Sequence, residues 1–186
     1  MKNTTGFWPV APDLRRSDIA FHFRGHDYLG HMVAPAETEG PKPMVMVTHN
    51  YQGLKFFDVD VAEYIARLGY VGFAIDLYGD RLPANERLWP EDETHIPAFQ
   101  QKCFEAMVAL DHDHELFRAL LKAWLDQGMN HNFVDASISP AAIGYCFGGV
   151  AVLEAVRGGL DLGGVVSLHG LLQTGEDPNP ARFNAE

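Results

Sequence analysis

The sequence predicts an α/β fold, in which helices pack on both faces of a mostly parallel β-sheet. Residues 44–48, 70–75 and 163–168 are short and almost continuously apolar, which is typical of parallel strands covered on both faces. Between the first two, apolar residues recur at helical spacing over residues 57–68 and the segment ends at Gly69, a residue that favours a helix C-terminus. These segments form a βαβ unit, whose crossover we expect to be right-handed.

An antiparallel hairpin is predicted before this unit. Residues 18–23 and 28–33 flank a turn at 24–27, after an irregular arm over residues 1–17. The hairpin carries three histidines, which are His22, His26 and His31. Because strand and turn positions have no fixed convergence, we expect solvated polar side chains there rather than metal ligands.

The middle of the chain predicts two helices, over residues 98–109 and 115–127, after a polar excursion over residues 81–97. Asp113 is the expected N-cap of the second helix, and Cys103 is expected to be a small buried apolar residue of the first. The string at 111–114 contains two Asp and two His, but adjacent helical residues face different directions. No metal site is predicted.

Composition restricts the class of protein. The 186 residues fit one domain spanning residues 1–186, and 14 basic against 25 acidic residues give a net charge of -11, which disfavours nucleic acid as a partner. No apolar stretch has the length of a signal peptide or a membrane span. Two cysteines cannot form a disulfide framework, so we expect a reducing, cytoplasmic setting and no membrane partner.

The stretch Gly144-Tyr145-Cys146-Phe147-Gly148-Gly149 lies between a short apolar strand, 141–143, and an expected helix at 150–156. A nucleophile elbow has this layout, because small flanking residues let strand and helix approach closely. Backbone amides at the start of the helix favour a thiolate. From spacing alone, a buried cysteine in a tight turn explains the same string, so both interpretations stay open at this point.

Four blocks in order, at residues 49–54, 69–79, 144–149 and 165–170, resemble the dienelactone hydrolase family. The resemblance extends over roughly residues 18–182 and is more specific than the elbow alone. It implies an α/β-hydrolase fold and hydrolysis of a small-molecule ester or lactone through a Cys-His-Asp triad. It implies no cofactor and no metal.

The resemblance also implies roles for individual residues. Cys146 would be the nucleophile, and the backbone amides of Phe147 and Tyr51 would form the oxyanion hole. Two fixed N–H donors matter there because the substrate carbonyl oxygen gains charge only as the tetrahedral intermediate forms.

Other residues are expected around the pocket. Arg81 either binds a substrate carboxylate or is a solvated loop charge. Asn50 stands where many relatives have Glu, and an amide cannot take the proton of the thiol. Tyr145 and His169 are expected to shape or support the pocket, and His49 is expected to be a structural hydrogen-bonding residue.

The acid and base of the family's triad lie beyond the position at which this chain ends, so we expect a C-terminally truncated hydrolase that lacks the last strands. The strand at 165–168 would then be an open, apolar sheet edge. The alternative function is a non-catalytic fragment that binds a partner, or its own copy, through this edge strand. Redox sensing by Cys146 is a third interpretation.

Overall fold

The computed structural model describes residues 11–37, 39–82 and 93–172, in which six strands and four α-helices are formed. The strands are β1 (Leu14–Phe23), β2 (His26–Pro35), β3 (Met44–Thr48), β4 (Val71–Ile75), β5 (Ala141–Tyr145) and β6 (Gly164–Leu168). The helices are α1 (Phe56–Arg67), α2 (Ile96–Asp111), α3 (His114–Met129) and α4 (Phe147–Arg157), with short 3₁₀ turns at Gly79–Arg81 and Glu93–His95.

The six strands form one sheet in the order β1-β2-β4-β3-β5-β6. β1 and β2 form the predicted antiparallel hairpin, and β3, β4, β5 and β6 run parallel to one another. The hairpin is longer than predicted, because β1 begins at Leu14, which is buried and pairs with Pro35. The predicted irregular arm is wrong over residues 14–17, because Pro9 and Pro12, which interrupt regular structure, both precede this strand.

Helices cover both faces of the sheet, as predicted. Met46 and Phe73 belong to a large apolar cluster that includes residues of α2, α3 and α4. Their strand neighbours Val47 and Ala74 belong to a second, smaller cluster with α1. Because successive strand residues point to opposite faces, α1 lies on one face of the sheet and the other three helices on the opposite face.

Two predictions in the helical middle of the chain are confirmed. The side chain of Asp113 accepts a hydrogen bond from the Leu116 amide at 2.9 Å, so it caps α3. Cys103 is fully buried on α2. That helix is longer than expected, since Pro97 lies in its first turn, where a missing N–H costs nothing.

The three hairpin histidines each pair with an aspartate. The distances are 2.8 Å for His22 to Asp27, 2.6 Å for His26 to Asp80 and 2.7 Å for His31 to Asp18. The expectation of solvated positions is wrong for His31, which is buried because it lies on β2 between β1 and β4. Across the described ranges, no three metal-ligating side chains come together.

An ion-pair network anchors α4. Glu154 is buried and contacts Arg157 at 2.6 Å and Arg118 of α3 at 2.8 Å. The guanidinium of Arg157 also donates to the carbonyl of Leu172 at 3.2 Å, beyond the end of β6. This network joins α4, α3 and the segment after β6. No helix in the described part of the chain is both long and apolar enough to cross a bilayer.

Glycines let α4 touch the sheet through backbone atoms. A Cβ at Gly148 would overlap the carbonyl oxygen of Thr48 in β3. A Cβ at Gly144 would in turn overlap the carbonyl oxygen of Gly148. Because backbone atoms cannot rotate away as a flexible side chain can, α4 keeps its position only with glycine at both sites.

We expect Gly148→Ala to destabilise the fold by about 3 kcal/mol or more, the upper range for an overpacked core position. Chemical denaturation followed by circular dichroism measures the loss. Gly164→Ala in β6 is the matched control, because no atom lies within 4 Å of a Cβ at that position. Equal stability of the two variants would show that the contact with Thr48 is not tight.

A buried carboxyl lies at the start of α1. Asp58 accepts a hydrogen bond from the Lys55 amide at 2.8 Å, which favours the ionised form. Burial outweighs this and raises the pKa of Asp58 to about 7, from its ordinary 3.8. The folded state therefore holds a proton that the unfolded chain has lost, so stability decreases as pH rises from about 4 to 7.

We expect Asp58→Asn to stabilise the fold because the amide oxygen can still accept the Lys55 bond without a charge to bury. The gain in the free energy of unfolding should be about 2 to 4 kcal/mol at pH 8 and clearly smaller at pH 5. Urea denaturation at both values tests this, with Asp126→Asn on exposed surface as the control. A gain that is the same at both pH values contradicts the raised pKa.

Candidate active site

Cys146 lies on a strained turn between β5 and α4. Its backbone has φ 57° and ψ -115°, and it is half-buried. A positive φ is unfavourable for a residue with a side chain, by about 1 to 3 kcal/mol, and persists only where the surroundings impose it. The Cys146 amide donates to the Leu168 carbonyl of β6 at 2.9 Å, so the turn is held from the neighbouring strand.

Hydroxyl groups on the flanking strands fix this turn. The hydroxyl of Thr48 is 2.8 Å from the carbonyl oxygen of Gly148 and 3.2 Å from that of Ile143. The hydroxyl of Ser167 donates to the Gly149 carbonyl at 3.1 Å. Neither residue is singled out in the sequence analysis. The available signal is a small hydroxyl residue at the carboxyl end of an apolar strand.

The two expected oxyanion donors come from different elements. Phe147 is the first residue of α4, where an amide has no acceptor within its own helix. Tyr51 lies in the loop after β3, and its amide has no acceptor among the residues that the structure describes. The ring of Phe147 is buried and stacks on Phe117 at 5.3 Å, which holds the start of α4 in place.

Tyr78 contacts both residues that carry these expected donors. Its hydroxyl donates to the carbonyl of Tyr51 at 2.8 Å, and its ring stacks on Phe147 at 6.2 Å. The side chain is fully buried, and burial raises its pKa well above 10, so the hydroxyl remains a donor. Tyr78 lies in the block at residues 69–79 that resembles the family, but the sequence predicts no role for it.

His49 is buried and neutral. Its Nε2 accepts from the Leu77 amide at 2.9 Å, which requires the ring proton to be on Nδ1, 2.6 Å from the Asn50 carbonyl oxygen. Burial lowers the pKa of His49 to about 4, although the Asp76 carboxylate at 3.9 Å opposes the shift. Because both nitrogens are occupied, His49 has no free position to act as a base toward Cys146.

The remaining loop contacts involve Asn50 and Gln52. The side-chain oxygen of Asn50 accepts from the Gln52 amide at 2.8 Å, and the thiol of Cys103 lies 3.4 Å from the Gln52 carbonyl. The Asn50 side chain therefore supports its own loop. No residue in the described ranges forms a hydrogen bond with Sγ of Cys146.

Arg81 is half-buried and bonded within the protein. Its guanidinium donates to the hydroxyl of Tyr28 at 2.9 Å and to the carbonyl of Tyr78 at 3.4 Å. These bonds differ from the expectation of a solvated loop charge, because the 3₁₀ turn at Gly79–Arg81 places the side chain against the hairpin. Arg81 thus contacts Tyr78, the residue that also contacts Tyr51 and Phe147.

Tyr145 and His169 form an exposed aromatic pair. Their rings meet edge to face at 4.4 Å, at the ends of β5 and β6. His169 has φ 42°, and Tyr145 directly precedes Cys146 in the chain. The pair therefore lies next to Cys146, because Tyr145 is its neighbour in the chain.

An open groove of about 650 Å³ lies elsewhere, at the amino ends of the parallel strands. Its lining includes Asp13, Lys42 and Arg67. Arg67 already contacts Asp13 at 3.4 Å, and Lys42 donates to the Glu39 carbonyl at 3.3 Å. This groove is at the end of the sheet opposite to Cys146.

Comparison with known proteins identifies relatives over most of the chain. A carboxymethylenebutenolidase from Pseudomonas sp. (strain P51) is 30% identical over 135 residues, which are 73% of this chain and 52% of the relative. Among solved structures, one named m3DLH is 30% identical with a TM-score of 0.71, covering 87% of this chain and 61% of that chain.

A second solved structure is the dienelactone hydrolase-like promiscuous phosphotriesterase P91 from metagenomic libraries. It is 27% identical with a TM-score of 0.68, and the match covers 85% of this chain and 60% of that chain. These likenesses confirm the expected α/β-hydrolase fold. The chain spans about half the length of the carboxymethylenebutenolidase that it matches, 52%. The model of the dienelactone hydrolase family matches residues 29–185, and the chain therefore belongs to the dienelactone hydrolase family.

Proposed function

We propose that this chain supplies the nucleophile and oxyanion-binding part of a hydrolase that cleaves an ester or lactone. The observation that carries the proposal is the strained backbone of Cys146 at the turn between β5 and α4, with φ 57°. Membership of the dienelactone hydrolase family supports the reaction class. A reducing compartment, the cytoplasm, suits the two free cysteines, Cys103 and Cys146.

In the proposed first step, the Cys146 thiolate attacks the carbonyl carbon of the substrate. The sulfur lone pair forms the S–C bond while the carbonyl π pair moves onto oxygen. The amides of Phe147 and Tyr51 stabilise this oxyanion, because both are held in place before charge develops. Collapse of the intermediate breaks the C–O bond, the leaving alkoxide takes up the proton that came from the thiol, and a thioester remains on Cys146.

In the second step, water attacks the thioester and regenerates the thiol. This step needs a base for the water, and a base would also speed the first step by taking the thiol proton. No described residue bonds Sγ. We place the base and its acid partner outside the described residues.

Substrate recognition is proposed to involve the residues around the elbow. The Arg81 guanidinium bonds Tyr28 through Nη1, and its remaining donors suit a substrate carboxylate. The exposed pair of Tyr145 and His169 would provide an aromatic surface beside the nucleophile. Asn50 replaces a carboxylate, so the resting thiol has no proton acceptor at that position.

We expect the chain to release p-nitrophenol from p-nitrophenyl acetate in a burst of about one equivalent, because acylation needs only an activated leaving group. Turnover after the burst should be slow without the proposed base. Cys146→Ala should abolish the burst. Stopped-flow absorbance measures the burst. Intact mass spectrometry of the product should show one acetyl group, the one carried by Cys146.

The control is Cys103→Ser, in which a hydroxyl can keep the contact to the Gln52 carbonyl. It should retain the burst. If Cys146→Ala releases p-nitrophenol as the wild type does, the nucleophile is not Cys146.

The second candidate function is association of two copies through the edge strand. β6 lies at the edge of the described sheet, and its Val166 and Leu168 side chains are 50% and 45% exposed. An open apolar edge presents unpaired backbone groups to another strand. Two identical edges can pair about a twofold axis, which makes a second copy the partner.

Size-exclusion chromatography with light scattering over a wide concentration range tests this association. The expected result is a dimer that dissociates on dilution and that Val166→Lys weakens strongly, because a charge at the edge disfavours pairing. Ile138→Lys, an exposed apolar position outside β6, is the control. A monomer at every concentration rules the association out.

A further inference from the structure

We propose that His49 is a positioning residue for the oxyanion hole. Its Nδ1–H holds the carbonyl of Asn50, and this orients the N–H of Tyr51, which belongs to the same peptide unit, toward the oxygen of the reacting carbonyl. The inference rests on the proposed function, because it assigns a purpose to a contact within that hole.

The contacts of the imidazole ring allow a single arrangement. An amide N–H can only donate, so the bond from Leu77 makes Nε2 an acceptor and leaves the ring proton on Nδ1. Nδ1 then donates to the Asn50 carbonyl at 2.6 Å. The ring is fully buried and packs edge to face with the ring of Tyr78, with centroids 4.8 Å apart, so it cannot readily flip.

Planarity of the peptide carries this orientation to Tyr51. In a trans peptide the C=O and the following N–H lie in one plane and point in opposite directions. Fixing the Asn50 carbonyl therefore fixes the direction of the Tyr51 N–H. A hydrogen bond to the carbonyl also polarises the amide, so that the N–H becomes a better donor.

The next peptide of the loop is held independently. The Tyr51 carbonyl accepts from the Tyr78 hydroxyl at 2.8 Å, and the Gln52 amide donates to the Asn50 side chain at 2.8 Å. The Asn50 carbonyl also accepts a longer bond from the Gly53 amide, at 3.3 Å. His49 is thus the side chain, beside that backbone bond, that sets the one remaining peptide. The Tyr51 amide has no acceptor among the described residues. A donor that binds a ligand must have its N–H free in this way.

Two amide substitutions separate the two bonds of the ring. An asparagine amide reaches the place of Nδ1, so His49→Asn can still donate to the Asn50 carbonyl while losing the Leu77 bond. A glutamine amide reaches the place of Nε2, so His49→Gln can accept from Leu77 while losing the Asn50 bond. The two variants have similar polarity and differ in which contact survives.

The probe is an aryl-alkyl trifluoromethyl ketone, which forms a thiohemiketal with Cys146. The thiolate lone pair forms the S–C bond and the carbonyl π pair becomes an oxyanion, so the adduct needs the hole but no hydrolytic base. Fluorine NMR measures the dissociation constant. Alkylation of Cys146 by iodoacetamide, which needs no oxyanion hole, reports whether the thiol remains accessible.

We expect His49→Asn to bind the ketone within about threefold of the wild type. We expect His49→Gln to bind it about 10- to 100-fold more weakly, somewhat less than the loss of a whole oxyanion donor. The alkylation rate should be unchanged in both variants. In ester acylation the same order should appear in the maximal rate constant of the p-nitrophenol burst, with little change in the ester concentration that gives half of it, because the oxyanion exists only after attack.

Other results overturn the inference in distinguishable ways. If the wild type forms the adduct and the two variants bind the ketone equally, His49 does not position the hole, whereas the nucleophile assignment stands. If the wild type is alkylated at Cys146 but forms no adduct, the proposed oxyanion hole fails and the inference fails with it.

A measurement on the wild type covers the case in which both variants fail to fold. Nitrogen-15 NMR of histidine-labelled protein should show one ring with its proton on Nδ1 and an unprotonated Nε2 between pH 5 and 8, since burial holds the pKa of His49 at about 4. A His49 ring that is protonated at Nε2 in this range contradicts the proposal.

Discussion

Backbone contact between α4 and β3 is the constraint on which the rest of the site depends. Gly148 lies against the carbonyl of Thr48, and the hydroxyl of Thr48 bonds the Gly148 carbonyl at 2.8 Å. This approach imposes the positive φ of Cys146, which no local preference would favour. It also sets the start of α4 beside the loop after β3, the two elements that carry the proposed oxyanion donors Phe147 and Tyr51.

Buried polar groups then give this junction its fixed geometry. His49 and Tyr78 are both inaccessible to solvent, and each has a bonded partner in the loop after β3. A buried hydrogen bond is costly to break because water cannot replace the lost partner. The carbonyls of Asn50 and Tyr51 are therefore held in place, while the Tyr51 amide has no acceptor among the described residues.

The sequence predicts the strands and the elbow well because their signals are local. Apolar runs such as 44–48 and the glycines around Cys146 each satisfy a requirement of neighbouring residues. The partner of His49 could not be predicted, because Leu77 lies 28 residues further along the chain. Burial of His31 was missed for the same reason, since it follows from the position of β2 inside the sheet. The roles assigned to the site residues stay predictions.

The hydrogen bond from the Cys146 amide to Leu168 links the proposed nucleophile to the edge of the described sheet. Fraying of β6 would release the strained residue, so the population of the reactive geometry depends on how firmly that strand is held. Any polypeptide that pairs with β6 would favour the same backbone conformation at Cys146. By thermodynamic reciprocity, a ligand bound at Cys146 that favours the same backbone conformation would strengthen that pairing.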